Sequence, residues 1–303
     1  MGSSVRCTVI VPTYNRRRLL ELTLDSLDKQ DLPRDQFEVL VVDDGSSDDT
    51  AAMVRGFEDR FDLRYFYQPD EGFRVAKARN VGIRHAAGDI CVFVDSGVLL
   101  HSASLSAHVT AHEASVEPLA LNGYVYCFNL DNEDARLIRK VVDVDDIDSS
   151  IASIARTGAW PDVREPFYER YSDDFHHLPA PWLMYWTCHA SARTEQVREV
   201  GMYDEEFRQW GGEDLDLAYR LHRDGARFGV HREASAIHYP HDKDHGDNAR
   251  FARENYRYIV EKYGTPIIRL LVEEPSIRFS MFNEVVEERG LPRCADYRTA
   301  GQA

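Results

Sequence analysis

The stretch "CTVIVPTYNRRRLLELTLDSLDKQDLPRDQFEVLVVDDGSSDDT", Cys7–Thr50, contains one structural plan twice over. A β-branched run closes at Pro12, leucines 19, 20, 24 and 27 follow at helical spacing, and a second apolar run, "FEVLVV", closes at two aspartates. Beyond the glycine turn, Ser47 or Asp48 is placed to cap a second helix. Downstream, "LRYFYQPDEG" predicts a third strand, "RVAKARNVGIRHAA" a helix and "GDICVFVDSG" a fourth strand. Strand–helix alternation at this spacing predicts an α/β protein with parallel strands and helices on both faces.

Composition narrows the class. With 303 residues the chain can bury a sizeable core, and 43% hydrophobic with 11% aromatic residues excludes wholesale disorder. A net charge of −16 argues against a general nucleic-acid binder, so a phosphorylated substrate would need its own arginines or a metal ion. Five cysteines without CxxC spacing suggest reduced, buried thiols. No charged-then-apolar leader precedes "VRCTVIVPTYN", and no apolar run approaches the roughly 20 residues of a membrane span. The expectation is a soluble, cytoplasmic protein.

In open α/β sheets, ligands sit outside the carboxyl ends of the strands. Those ends are "PTYN" (12–15), "DDGS" (43–46), "QPDEGFR" (68–74) and "DSG" (95–97), all polar, and the topology makes them converge. Residues 1–100 and 101–245 are expected to form two halves of one domain, with the converging strand ends in the first. An irregular acidic excursion is expected at 125–180 and a helical extension at 246–303. Within the excursion, Phe167, Tyr168, Tyr171, His176 and His177 are candidates to shape an acceptor pocket.

Individual motifs carry the chemistry. Asp43 or Asp44 can accept hydrogen bonds from a base N–H or a ribose hydroxyl, although turn capping explains either one alone. Arg74, Lys77, Arg79 and Asn80 open a helix, where cations are electrostatically misplaced unless an anion binds beside them. Asp95 ends a strand. The densest signal is "WGGEDLD", Trp210–Asp216: Glu213, Asp214 and Asp216 open a helix after two glycines that permit close approach of a ligand, and Trp210 offers a flat platform of the kind that stacks on sugar rings. His238 and His241 in "HYPH" are acceptable ligands for a divalent ion.

The ordered set "TVIVPTYN…FEVLVVDDGSSDDT…ARNVGIRHAAGDICVFVDSG…WGGEDLDLAYRL" resembles the family-2, GT-A-fold inverting glycosyltransferases over about residues 5–100 and 182–245. Its WGGED element is similar to that of the β-1,4-galactosyltransferase and chondroitin-polymerase types. The resemblance implies a Rossmann-like, mostly parallel mixed sheet flanked by helices, and transfer from a nucleotide sugar, most commonly a UDP-sugar, to a hydroxyl acceptor. It implies that Pro12, Thr13, Tyr14 and Asn15 line the nucleotide pocket with Asp44 facing the base. Arg74 and Lys77–Asn80 would contact base or diphosphate. Asp95 corresponds to the first acid of Asp-x-Asp, near ribose and metal, and Asp214 to the catalytic base. Glu213 and Trp210, with Gly211 and Gly212, would hold the sugars, and His238 or His241 would complete a Mn²⁺ or Mg²⁺ site. One departure stands out: Gly97 occupies the place of the second acid, which puts the metal in question. A catalytically inactive sugar- or nucleotide-binding protein on the same scaffold is the alternative. A nucleotidyltransferase is disfavoured, because "PTYNRRR" lacks the glycines its loop would need.

Overall fold

The computed structural model describes residues 5–128, 132–241 and 245–294. The N-terminal half follows the expected alternation: β1 (Cys7–Thr13), α1 (Arg17–Leu27), β2 (Phe37–Asp43), α2 (Thr50–Arg55), β3 (Leu63–Tyr67), α3 (Val75–His85) and β4 (Ile90–Val94). These four strands are mutually parallel in the order β3-β2-β1-β4. Every residue of β1 and β2 is buried, as an uninterrupted β-branched run requires when helices cover both faces.

The second half breaks the parallel rule. After β5 (Val98–Leu100) and α4 (Ser104–Ala114) come β6 (Leu119–Tyr126), α5 (Asn132–Val141), α6 (Ile147–Thr157) and α7 (Glu165–Tyr171). Then follow β7 (His189–Arg193), α8 (Thr194–Glu199), α9 (Glu213–Arg223) and β8 (Arg227–His238). Strand β7 runs antiparallel to both β4 and β6, β8 is parallel to β6, and β5 is antiparallel to β8. The result is one eight-stranded mixed sheet, β3-β2-β1-β4-β7-β6-β8-β5.

One apolar cluster joins Leu20, Leu24 and Leu27 of α1 to Val9, Val11, Val39 and Val92, while Ile10, Ile83 and Phe93 belong to a second. That second cluster continues into the C-terminal segments α10 (His245–Tyr263), α11 (Pro266–Arg269) and α12 (Phe279–Glu288). There Ile259, Ile267, Phe282 and Val286 share a core with Leu215, Leu217 and Leu221 of α9. The division expected at residue 245 therefore does not coincide with a break in packing. In the stretch "IIRLLVEEPSIRFSMFNEVVEERG", α11 and α12 are separate helices, with Pro275, which has no N–H to continue a helix, between them.

The expected irregular excursion at 125–180 is mostly helical. Ile147, Ile151 and Ile154 recur at four and three residues along α6 and pack on Leu99, Cys127 and Ile237. Phe167 and Tyr168, expected at an acceptor pocket, are 2% and 1% exposed and belong to the core, with Phe175 stacked on Tyr168 at 5.9 Å. Large aromatic areas are worth more removed from water than presented to a polar ligand. Tyr171 is half-buried, its hydroxyl bonded to Glu284, whereas His176 and His177 are exposed, His176 beside Asp174. All five cysteines are free and buried, and no helix among the described residues is long and apolar enough to cross a membrane.

Candidate active site

The carboxyl ends of β1–β4 do converge. Behind β1, Asn15 takes a left-handed φ of 49°; its N–H donates to Ser46 Oγ at 2.7 Å and its Oδ1 accepts from Ser47 N at 2.8 Å, which pins the first two strand ends together. Tyr14 is exposed and donates to Asp70. The two adjacent aspartates separate in role. Asp43 accepts from Gly45 N, Ser46 N and the Tyr65 hydroxyl, so it is spent on the turn. Asp44 is held by Gln68 Nε2 at 2.5 Å and by Arg74 N at 2.8 Å, and burial lifts its pKa above the usual carboxylate range.

The four polar residues of α3 also divide. Arg74 and Lys77 sit beside exposed Glu71 at 3.0 and 3.8 Å, near the Asp44 pocket. Asn80 is buried and clamps the Tyr203 loop: its Nδ2 donates to Tyr203 O and Glu205, and its Oδ1 accepts from Tyr203 N. That position is structural, and the expected contact of Asn80 with base or diphosphate has no free side-chain group to make it. Arg79, 3% exposed, reaches Asp95 at 2.9 Å, Glu213 at 3.2 Å and Asp214 at 3.3 Å.

Around that guanidinium the WGGED element closes. Asp214 accepts from Thr187 N at 3.1 Å through Oδ2 and from the Thr187 hydroxyl through Oδ1, the oxygen that also faces Arg79. Burial raises the pKa of Asp214 and Arg79 opposes it; burial and then the Asp214 charge push Glu213 up to about 7. Both sit in the first turn of α9, where the helix dipole favours their ionised forms. Asp216, two residues on, is fully buried and ligated by Arg220, Lys262 and Tyr263, so it anchors the helix. Of the three neighbouring acids, two face Arg79 and the third anchors the helix.

Trp210 is 49% exposed. The glycines behind it have φ of +88° (Gly211) and +99° (Gly212), and a Cβ on either would press on α10: on Ala252 at 3.2 Å from Gly211, and on Asn255 at 3.1 Å from Gly212. The space read from sequence as room for a ligand is taken by a helix. At the far rim, β8 brings His238 opposite Val98, one residue past Gly97. His238 stacks on Phe128 at 4.6 Å, its ring 5.3 Å from that of His241, and His241 Nε2 lies 3.3 Å from Arg16 Nη1. Gly97 has a φ of +99° and donates its N–H to Thr23, a turn in which any side chain is strained. Among the described residues no three or more His, Cys, Asp or Glu side chains are gathered closely enough to hold a metal ion.

Thr187, Gln68 and Asn255 were not singled out from sequence. Gln68 lay inside a noted strand end, but Thr187 in "YWTCH" and Asn255 in "RENYR" carry no local signal.

Comparison with known proteins places this geometry. Residues 8–153 match the model of glycosyl transferase family 2, and residues 171–242 match that of the N-terminal domain of galactosyltransferase. Validoxylamine A glucosyltransferase of Streptomyces hygroscopicus subsp. jinggangensis is 35% identical across 84% of this chain and 60% of its own length. The chain thus spans about 60% of the length of that relative. Among solved structures, Staphylococcus aureus TarS in complex with UDP-GlcNAc superposes with a TM-score of 0.62 at 19% identity, over 94% of this chain and 71% of that one. The mannosyltransferase PcManGT of Pyrobaculum calidifontis, in complex with GDP-Man and Mn²⁺, gives 0.58 at 22% identity, over 86% and 65%. The fold is that of the GT-A α/β transferases. Within that class, the chain is similar to glycosyl transferase family 2 over residues 8–153, just under half of its length.

Proposed function

We propose that the protein transfers a sugar from a nucleoside diphosphate sugar, a UDP-sugar in the first instance, to a hydroxyl acceptor with inversion, and that Asp214 is the general base. The supporting observation is the setting of Asp214. Its Oδ1 is occupied by Arg79 and the Thr187 hydroxyl, while Oδ2 accepts only the Thr187 N–H among the described contacts and keeps a lone pair for the incoming hydroxyl. The acceptor proton passes to Oδ2, the acceptor oxygen attacks the anomeric carbon from the face opposite the diphosphate, and the bond to the diphosphate breaks. Asp44, with Arg74 and Lys77, serves the nucleotide; Trp210 stacks on the acceptor sugar, with Glu213 beside it.

The nucleotide sugars in the two structural neighbours support this donor class, and the 35%-identical relative, named for glucosyl transfer, supports a hexosyl group. A divalent cation, Mn²⁺ or Mg²⁺, belongs to the same proposal. The expected trio Asp95, His238 and His241 is not gathered as a metal site in this structure, so the support for the ion is the Mn²⁺ of the PcManGT neighbour, and the charge it would supply is to the departing diphosphate. Five buried, unpaired thiols support a cytoplasmic setting.

The test is release of nucleoside diphosphate from UDP-glucose, UDP-GlcNAc and GDP-mannose, with and without Mn²⁺ and a sugar acceptor. Acceptor-dependent release by the wild type, and release slower by about 10²–10⁴ in Asp214→Asn, is expected. Unchanged turnover in Asp214→Asn would overturn the base assignment.

A further inference from the structure

Helix α10 lies in sequence beyond every motif of the candidate site, yet it touches the site where Trp210 is presented. The Asn255 side-chain amide donates to three successive carbonyls: Gln209 O at 3.2 Å, Trp210 O at 3.4 Å and Gly211 O at 2.5 Å. Those carbonyls belong to a turn with left-handed φ at Gly211 and Gly212, so neither the helix that follows nor a strand can satisfy them. The Asn255 Cβ also limits the space beside Gly212. Farther along α10, Lys262 and Tyr263 bind Asp216 at 2.7 Å each, which fixes α10 to α9 and so fixes Asn255 relative to Asp214.

We infer that Asn255 is a positioning residue: its amide holds the Trp210–Gly212 turn at one height above Asp214, and thereby aligns the acceptor on Trp210 with the base. The inference rests on the transferase reading for its kinetic consequence, but not for its structural one. Two hydrogens shared among three acceptors make a hub, and an acceptor displaced by an ångström loses most of its reactivity. The donor pocket at Asp44 is built by other elements, so donor binding is left alone.

Asn255→Asp keeps the shape but replaces the donating NH₂ with an oxygen that repels carbonyls; Asn255→Ser keeps one donor. Hydrogen exchange of the backbone over residues 208–213 is measured for both and for the wild type, alongside acceptor KM, kcat and affinity for UDP. Faster exchange at 208–213 is expected in Asn255→Asp, with acceptor KM raised about tenfold or more, kcat lowered, and UDP affinity within about twofold of wild type. Asn255→Ser falls between. Exchange as slow as wild type in Asn255→Asp overturns the inference, and so does faster exchange with unaltered acceptor kinetics. If exchange quickens but the wild type itself transfers no sugar, the hold on the turn stands, while the acceptor-alignment role falls together with the transferase reading.

Discussion

Arg79 on α3 and Asp214 on α9 lie 135 residues apart in sequence and meet with Nη1 3.3 Å from Oδ1. The same guanidinium reaches Asp95, so one buried cation ties the acid at the end of β4 to the acid of α9 proposed as the base. Its planar fork makes this possible: three carboxylates approach from different directions, a geometry a lysine ammonium serves poorly. Arg79→Met should therefore leave three acids uncompensated around a buried point, at a cost of roughly 3–5 kcal/mol. Urea denaturation checks this, and Arg79→Lys should recover only part of the loss. Stability equal to wild type in Arg79→Met would show that the acids do not depend on it.

Asp214 and Thr187 form the second test. Asp214→Asn keeps the size but turns one accepting oxygen into an NH₂, so it loses one of the contacts from Thr187 or Arg79 together with the acceptor of the proton, and turnover should fall by about 10²–10⁴ with nucleotide affinity retained. Thr187→Val deletes the hydroxyl bonded to Oδ1, and its loss, about tenfold for one hydrogen bond to a charged group, should appear in kcat rather than in donor KM. Steady-state kinetics with donor and acceptor varied separately distinguish the two parameters.

How far this site was legible depends on the range of the contacts. Strand ends at Thr13, Asp43 and Val94 follow from β-branched runs cut off by polar turns, which are local signals. The WGGED acids were legible as a cluster, but their division was not. Asp216 is turned into an anchor by Lys262 and Tyr263, 46 and 47 residues away, and no spacing rule sees that. The Gly211–Gly212 pair illustrates the same limit: glycine marks a close approach, yet only packing shows that the neighbour is α10. Helix α6 is a different case. Its isoleucines at 147, 151 and 154 carry the helical period, but the surrounding "DVDDIDSS" concealed it under acidic composition. The mixed strand order past β4 follows from which apolar faces meet, a long-range matter that alternation cannot predict.

Asp44 and Gln68 make a prediction about the nucleotide. The carboxylate is already fixed by Gln68 Nε2 and the Arg74 amide, so it is preorganised as an acceptor for a base N–H. Asp44→Ala should weaken UDP binding by about tenfold to a hundredfold, the worth of one hydrogen bond to a charged group. Gln68→Ala, which frees the carboxylate to rotate, should give a smaller loss of the same sign. Calorimetric titration of UDP checks both, and unchanged affinity in Asp44→Ala would remove Asp44 from the pocket.

The last prediction concerns acid stability. Between α4 and β7, His108 Nε2 lies 3.2 Å from His189 Nε2, Ser104 Oγ is 3.1 Å from the same nitrogen, and Ser191 Oγ lies 2.8 Å from His108 Nδ1 and 2.9 Å from His112 Nε2. All three histidines are at most 5% exposed. Burial is the largest cause that depresses their pKa values, to about 3 for His112 and His189 and well below the ordinary value for His108, with Arg193 adding repulsion at His112. The unfolded chain binds these protons near pH 6.5, the folded one only well below that, near pH 3 at His112 and His189, so the folded state is favoured above 6.5 and loses ground as pH falls below it. Each histidine should contribute a slope of roughly 1.4 kcal/mol per pH unit there. Urea midpoints at pH 7.5, 6.0 and 5.0 should drop steadily. Replacing one member, His112→Asn, should cost stability at pH 7.5 through the lost contact with Ser191, yet flatten the slope by about one proton's worth. A slope identical to that of the wild type would show that His112 is not among the groups that titrate on unfolding.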